Sequence, residues 1–274
     1  MKSADEMIKA TIVADSLHVE SGKRITTYVC TFPRIVLAEF VTHGLLPRNS
    51  ASSRAIPAKV MLENVTRDTF FPLEYQKSHT GMQGSEIFED RSELDALWQE
   101  AFEMASKSFL KFNERGVSKQ ICNRLLEPFM YTTVIVTASE YENFFNLRAH
   151  PDAEIHIQNL AYKMKALYET NVPVEKHTGD WHIPFYETIL FDGISEEDKK
   201  KVAVAMCAAV SYNNHGANKT LEQWLSLYDR LSTSKHLSPL THLAQASMVE
   251  QIYGCPFKYW QSYRHQKEFG VNLV

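Results

Sequence analysis

Cysteine is scarce in this sequence and widely spread: Cys30, Cys122, Cys207 and Cys255 are the four, and no two form a C-x-x-C pair. That spacing excludes the usual zinc-ribbon and dithiol redox patterns, and a chain of 274 residues needs no disulfide staples. A reducing, cytoplasmic setting is expected. Long apolar runs are missing as well. "VAVAMCAAV" at 202–210 is too short to cross a bilayer, and "MKSADEMIKATIVADS" lacks the apolar centre of a signal peptide. Positive charge is not in excess, since the net charge is −4 and the pI about 6.3. Neither a membrane nor duplex nucleic acid is therefore an expected partner, although a local pocket for one phosphate stays open.

Common catalytic templates are also absent. There is no G-x-S-x-G elbow, and no cysteine has a neighbouring histidine or a helix-start position to lower its pKa. "GMQG" at 81–84 has neither Walker nor dinucleotide spacing. His177, Asp180 and His182 in "HTGDWH", and His236 and His242 in "HLSPLTH", miss the H-x-x-x-H spacing that puts two imidazoles on one helical face. No metal site is expected.

What is present is ordinary globular composition, 44% hydrophobic and 23% charged, without repeats. "ATIVADSLHV" and "ITTYVCTFP" are β-branched runs split by "ESGKR", which predicts a hairpin. Pro33 opens a helical pattern through His43. Residues 67–90 read as a long surface excursion. A helix is predicted from Ser92, with Asp95 completing a capping box, to Gly116; its stripe includes Leu94, Trp98, Phe102 and Phe109. Further helices are expected at 118–127, stopped by Pro128, at 139–149 with a Ser139/Glu142 capping box, and at 152–170, 195–213 and 219–233. "MYTTVIVTA" fits a strand or a buried helix start equally well. The prediction is one helix-dominated α+β domain over residues 1–274.

Three stretches combine polar residues with fixed cations. "VTHGLLPRNSASSRAIP" (41–57) offers Ser52, Ser53 and the planar fork of Arg54 to a phosphate, or is a solvated loop. Arg124 in "ICNRLLEP" and Arg148 in "NFFNLR" stand among apolar neighbours. Each either pairs with an acid and reaches solvent, or converges on an anion.

Together, "RNSASSR", "NRLLEP" and "NFFNLRAHPDAEI" resemble three motifs of the flavin-dependent thymidylate synthases, a family distinct from the thymidylate synthases that use a cysteine nucleophile. The first keeps His43, Asn49, Ser52 and Arg54 of the signature R-H-R-x7-S, with Thr42 and Gly44 replacing its arginines and Ser50 its usual acid. The second keeps Arg124, Pro128, Tyr131 and Thr132. The third keeps Asn143, Phe144, Leu147, Arg148, Ala153 and Glu154. A fourth, usually N-terminal, resembles "CAAVSY…HLSPLTH", so it falls here at about 203–265 and carries His236, Ser238 and His242. That order, with "GMQ" and "GDWHIP", is similar to phage-type versions of the family.

The resemblance implies a helix-flanked sheet in a homotetramer with active sites shared between subunits. It implies FAD as cofactor, NADPH and methylenetetrahydrofolate as co-substrates, and conversion of dUMP to dTMP. By matched position, Arg148 is the catalytic contact to the pyrimidine. Glu39, Ser50, Ala51, Ser52, Ser53, Arg54 and Arg124 surround the nucleotide with it. Thr42, His43, Gly44, Thr137, Ala138, Ser139, Asn143, His236 and Ser238 would line the flavin. Glu39 replaces a usual Gln, and an ionised carboxylate only accepts hydrogen bonds. Methylation or hydroxymethylation of another pyrimidine deoxynucleotide, such as dCMP, is therefore the alternative, and a non-catalytic homologue that binds nucleotide or flavin is the other alternative.

Overall fold

The computed structural model describes residues 3–81, 84, 86–212 and 218–273. Met82 and Gln83 of "GMQ", and Asn213 at the end of the expected 195–213 helix, lie outside them. The β-branched runs form β1 (Lys9–His18) and β2 (Lys23–Pro33), joined by a turn where Gly22 takes φ 67°. With β3 (Arg48–Ser50), β4 (Tyr131–Ala138) and β5 (Val174–Lys176) they build a sheet of order β3-β4-β2-β1-β5. Its pairs are antiparallel except β1–β5. A second antiparallel sheet holds β6 (Trp181–His182), β7 (Ala244–Gln251) and β8 (Lys258–Ser262).

"MYTTVIVTA" is thus a strand. Seven of its eight strand residues, Thr132 to Ala138, are buried, because both faces of the sheet are covered. Burial on both faces removes the alternation that would have marked it as a strand. Side chains still alternate in space. Tyr28, Cys30, Val134 and Val136 pack on one side against Phe144, Phe145, Ile157, Leu160 and Met164 of the helices Glu142–Arg148 and Ile155–Thr170. Val29 and Ile135 face the other way, toward the helices Glu196–Ala209 and Leu221–Thr233. This is an α+β arrangement of a mixed sheet with helices on both faces.

Several local expectations are corrected. The long helix runs Ser92–Glu114 and ends before Gly116 at φ 74°, but Ser92 does not cap it. Asp90 accepts from the Ser92 N–H and hydroxyl, and Asp95 is held by the Arg91 guanidinium at 2.8 Å. The helix expected at 139–149 begins at Glu142, because Ser139 Oγ accepts from the Lys258 N–H at 3.0 Å instead of capping. The 118–127 segment is a short α-helix, Lys119–Cys122, followed by a 3-10 helix, Asn123–Phe129, that contains Pro128 rather than stopping before it. Within the 67–90 excursion Phe70 is fully buried, so its first part is anchored in the core. A helix at Ala58–Arg67, after Pro57, was not anticipated.

Candidate functional site

The helix pattern opened by Pro33 becomes a 3-10 turn, Arg34–Val36, and a short α-helix, Leu37–Val41, that delivers the 42–57 loop. Arg48 fixes the first turn of that loop. Its guanidinium donates to the carbonyls of Val41 (2.5 Å), His43 (3.1 Å) and Leu46 (2.8 Å). A planar fork can serve three acceptors at once, which an ammonium on a flexible stem does less well. Sequence reading missed Arg48, since nothing local marks an arginine as a backbone clamp.

The clamped turn presents His43 to the helix Glu142–Arg148. The His43 ring meets Phe144 edge-on at 5.0 Å between centroids, and Arg148 Nε donates to His43 Nε2 at 3.0 Å. His43 must then be neutral, with its proton on Nδ1. Burial first, and then the Arg148 and Arg48 cations, hold its pKa below the usual imidazole value. Thr42, His43, Gly44, Asn143 and Arg148 line one cavity of about 520 Å³, with Glu140 and Glu142 at its edge.

On the other side of the same turn lies a second cavity of about 550 Å³, lined by Gly44, Arg48, Asn49, Ser238, Arg264, His265 and Glu268 among others. Asn49 Nδ2 donates to Ser238 Oγ at 2.5 Å, and Asn49 Oδ1 faces His242 Nε2 at 2.8 Å. His236 is exposed and does not line this cavity. Arg264 and Glu268, paired at 2.9 Å, were not foreseen because neither is one of the matched motif residues, the last of which is His242.

The Ser/Arg stretch continues away from both cavities. Ser50 pairs with Val134 in the sheet, and the Ala51 N–H donates to Thr133 O at 2.7 Å. The Ser52 N–H donates to Ser211 O at 2.9 Å, tying the loop to the C-terminal half. Ser53 is buried, with Oγ donating to Glu127 at 2.6 Å. Asn123 holds the next turn by donating to the carbonyls of Ser53 (2.6 Å) and Ile56 (2.9 Å). Arg54 is exposed and has no hydrogen bond or ion pair among the described residues. Arg124 is exposed too, with Nε donating to Gln120 O. Glu39 keeps Oε2 buried without a partner among the described residues.

Thr137, Ala138 and Ser139 are buried in β4 and just past it. Thr137 Oγ1 contacts His242 Nδ1 at 2.9 Å and Thr27 Oγ1 at 2.7 Å. His182 and His242 are fully buried, and each ring nitrogen has a hydrogen-bond partner. Burial pushes both pKa values down to about 3. His177 is exposed and faces Glu20 at 2.9 Å. Among the described residues no cluster of three potential metal ligands occurs.

A family model described as thymidylate synthase complementing protein matches residues 15–174. A flavin-dependent thymidylate synthase from Kosmotoga olearia is 22% identical over 148 residues, 52% of this chain and 61% of its own length. The chain thus spans about three-fifths of that curated relative. Two solved structures of the UMP/dUMP methylase PolB from Streptomyces cacaoi are also similar. The one bound with 5-Br dUMP has a TM-score of 0.43 and 16% identity, covering 53% of this chain and 66% of that one. The one bound with 5-Br UMP has 0.47 and 14%, covering 59% and 88%. With the motif residues His43, Asn49 and Arg148 gathered around one clamped turn, and the family model matching more than half of the sequence, this chain belongs to the thymidylate synthase complementing protein family.

Proposed function

We propose that the protein is a flavin-dependent enzyme that transfers a one-carbon unit from methylenetetrahydrofolate to C5 of dUMP and reduces it to a methyl group. The observation that carries this reading is the 3.0 Å hydrogen bond from Arg148 to His43, which joins two family motifs at the wall of one cavity.

The residues fit a flavin. A Cβ placed on Gly44 would meet nothing within 4 Å, so a flat ring has room to approach the turn between the two cavities. Thr42, His43, Gly44 and Asn143 would border it on one side and Ser238 on the other, while Thr137, Ala138 and Ser139, buried in and just past β4, and the exposed His236 line neither cavity within one subunit. FAD held there and reduced by NADPH would supply the hydride that completes the methyl group.

The protein's own contribution is positioning and electrostatics. Because Arg148 Nε is spent on neutral His43, the guanidinium is held with its remaining N–H donors available to a pyrimidine. A preoriented cation beside a pyrimidine that loses its N3 proton favours the ionised ring, an effect of about 3 kcal/mol where water is excluded. Arg54 and Arg124, both exposed, would hold the phosphate with the hydroxyls of Ser50 and Ser52, while Ala51 and Ser53, whose N–H and hydroxyl are taken up by Thr133 and Glu127, would shape the loop beside them. These residues do not line the Arg148 cavity within one subunit. That separation supports a homotetramer in which neighbouring subunits complete each site.

Glu39 favours a second reading. A carboxylate oxygen buried without a partner suits a donor, and the exocyclic amine of a cytosine is a donor where the O4 of uracil is not. The same chemistry on dCMP is therefore the alternative. Parallel product assays by mass spectrometry, offering dUMP and dCMP with methylenetetrahydrofolate and NADPH, decide between them. Absence of NADPH oxidation with either nucleotide would favour a homologue that binds without turnover.

A further inference from the structure

Seven polar side chains, taken from four adjacent strands and two distant segments, form one unbroken hydrogen-bonded row. Ser16 on β1, Thr27 on β2, Thr137 on β4 and Asn49 on β3 follow the spatial order of the sheet. Thr27 and Thr137 are directly opposed in register, and their hydroxyls touch at 2.7 Å. The other two steps are diagonal. Ser16 pairs with Ile25, two positions from Thr27, and Asn49 pairs with Ile135, two positions from Thr137. Diagonal neighbours are roughly 7–8 Å apart, too far for a direct bond. An imidazole fills each gap. His182, on β6, contacts Ser16 Oγ at 2.9 Å and Thr27 Oγ1 at 2.8 Å. His242 contacts Thr137 Oγ1 at 2.9 Å and Asn49 Oδ1 at 2.8 Å.

The direction of every proton follows from one end. Asn49 gives its amide N–H to Ser238, so its oxygen accepts from His242 Nε2–H. His242 has two partners and is neutral, so its Nδ1 accepts from the Thr137 hydroxyl. Thr137 then accepts from Thr27, Thr27 accepts from His182 Nε2–H, and His182 Nδ1 accepts from Ser16. Each member donates once toward the cavity, and the row ends with Ser238 accepting from Asn49. The Ser238 hydroxyl proton has no taker in the row, and Ser238 lines the cavity.

We propose that this row is a positioning device: Thr27 and His182, remote from the cavity, fix the orientation of Asn49, which occupies one lone pair of Ser238 and leaves the Ser238 hydroxyl proton to be donated to the bound cofactor. Ser238 thereby selects a ligand edge that carries an acceptor, such as the carbonyls and unprotonated ring nitrogens of an oxidised flavin. The cofactor's identity rests on the proposed function, whereas the proton order of the row does not. Ser16, at the far end, lines a separate cavity of about 860 Å³ along β1.

Neutron diffraction from the deuterated protein tests the row directly. The expected result is deuterium on Nε2 of both His182 and His242, none on either Nδ1, and the Ser238 deuteron directed into the cavity. Deuterium on Nδ1 of either ring overturns the proposal, whatever the protein binds. The positioning role is tested by titrating FAD into Thr27→Val, which keeps the shape but removes the hydroxyl, and into Thr27→Ser, which restores it. About tenfold weaker binding is expected in the first, as for one lost hydrogen bond, with recovery to within about twofold in the second. Equal FAD affinity in the wild type and Thr27→Val overturns the positioning role. A wild type that binds no FAD refutes the flavin reading, and with it the choice of ligand edge, while the diffraction result still decides the row.

Discussion

Arg148 lies 105 positions from His43 in the chain, and the contact between them gives the arginine a defined orientation. Replacing Arg148 by Ala removes both a partner for His43 and the proposed pyrimidine contact. Turnover is expected to fall about 100-fold or more, in line with loss of one preorganised electrostatic donor, while FAD remains bound. Steady-state kinetics beside a flavin absorption spectrum check this, and full product formation by the variant would remove Arg148 from catalysis. Arg48 is a contrasting case. It serves three carbonyls of the turn, so Arg48→Lys is expected to weaken FAD binding although charge is conserved. Unaltered affinity would mean the turn holds its shape without the fork. The motif made His43 and Arg148 legible in the sequence, but the work of Arg48 depends on where three carbonyls lie after folding.

Among the elements, the hairpin was readable because its signals are local: β-branched runs and a Gly-containing turn. Capping failed at Ser92 and Ser139 for opposite reasons. At Ser92 a nearby acid, Asp90, took the capping role, while at Ser139 a backbone donor 119 positions away claimed the hydroxyl. Neither competition is visible in a window of a few residues. Asn123 makes the same point for the Ser/Arg loop. The motif drew attention to Arg124, yet the fully buried Asn123 beside it anchors residues 53–56 through two carbonyls. Asn123→Ala should lower stability by about 2–3 kcal/mol, since two buried acceptors lose their donor. Urea unfolding measures that loss, and a change below about 0.5 kcal/mol would show the loop to be held otherwise.

For the molecule as a whole, two fully buried imidazoles link stability to acidity. The folded pKa values of His182 and His242 are about 3, against about 6.5 in the unfolded chain. Burial is the main cause, reinforced by Lys176 for His182 and by His182 for His242. Below about pH 6.5 the unfolded state takes up protons that the folded state refuses, so stability falls as pH drops toward 3. The expected slope is about 1.4 kcal/mol per pH unit for each histidine. Urea midpoints at pH 7, 6 and 5 check this, and identical midpoints would contradict it. A helix-flanked sheet was legible because the family signature is sequential, whereas the pairing of β3, β4, β2 and β1 through two histidines is purely spatial. Assembly belongs to this scale as well. Activity from a strictly monomeric protein at micromolar concentration, measured by light scattering beside turnover, would contradict sites completed by a neighbouring subunit.

The central claim concerns chemistry at C5 of a pyrimidine. Mass spectrometry of the nucleotide, after incubation with dUMP, methylenetetrahydrofolate, FAD and NADPH, tests it most directly. The account predicts dTMP from dUMP, or the C5-substituted product from dCMP in the parallel reaction. Recovery of both nucleotides unchanged, from protein that holds flavin and is assembled, would contradict it.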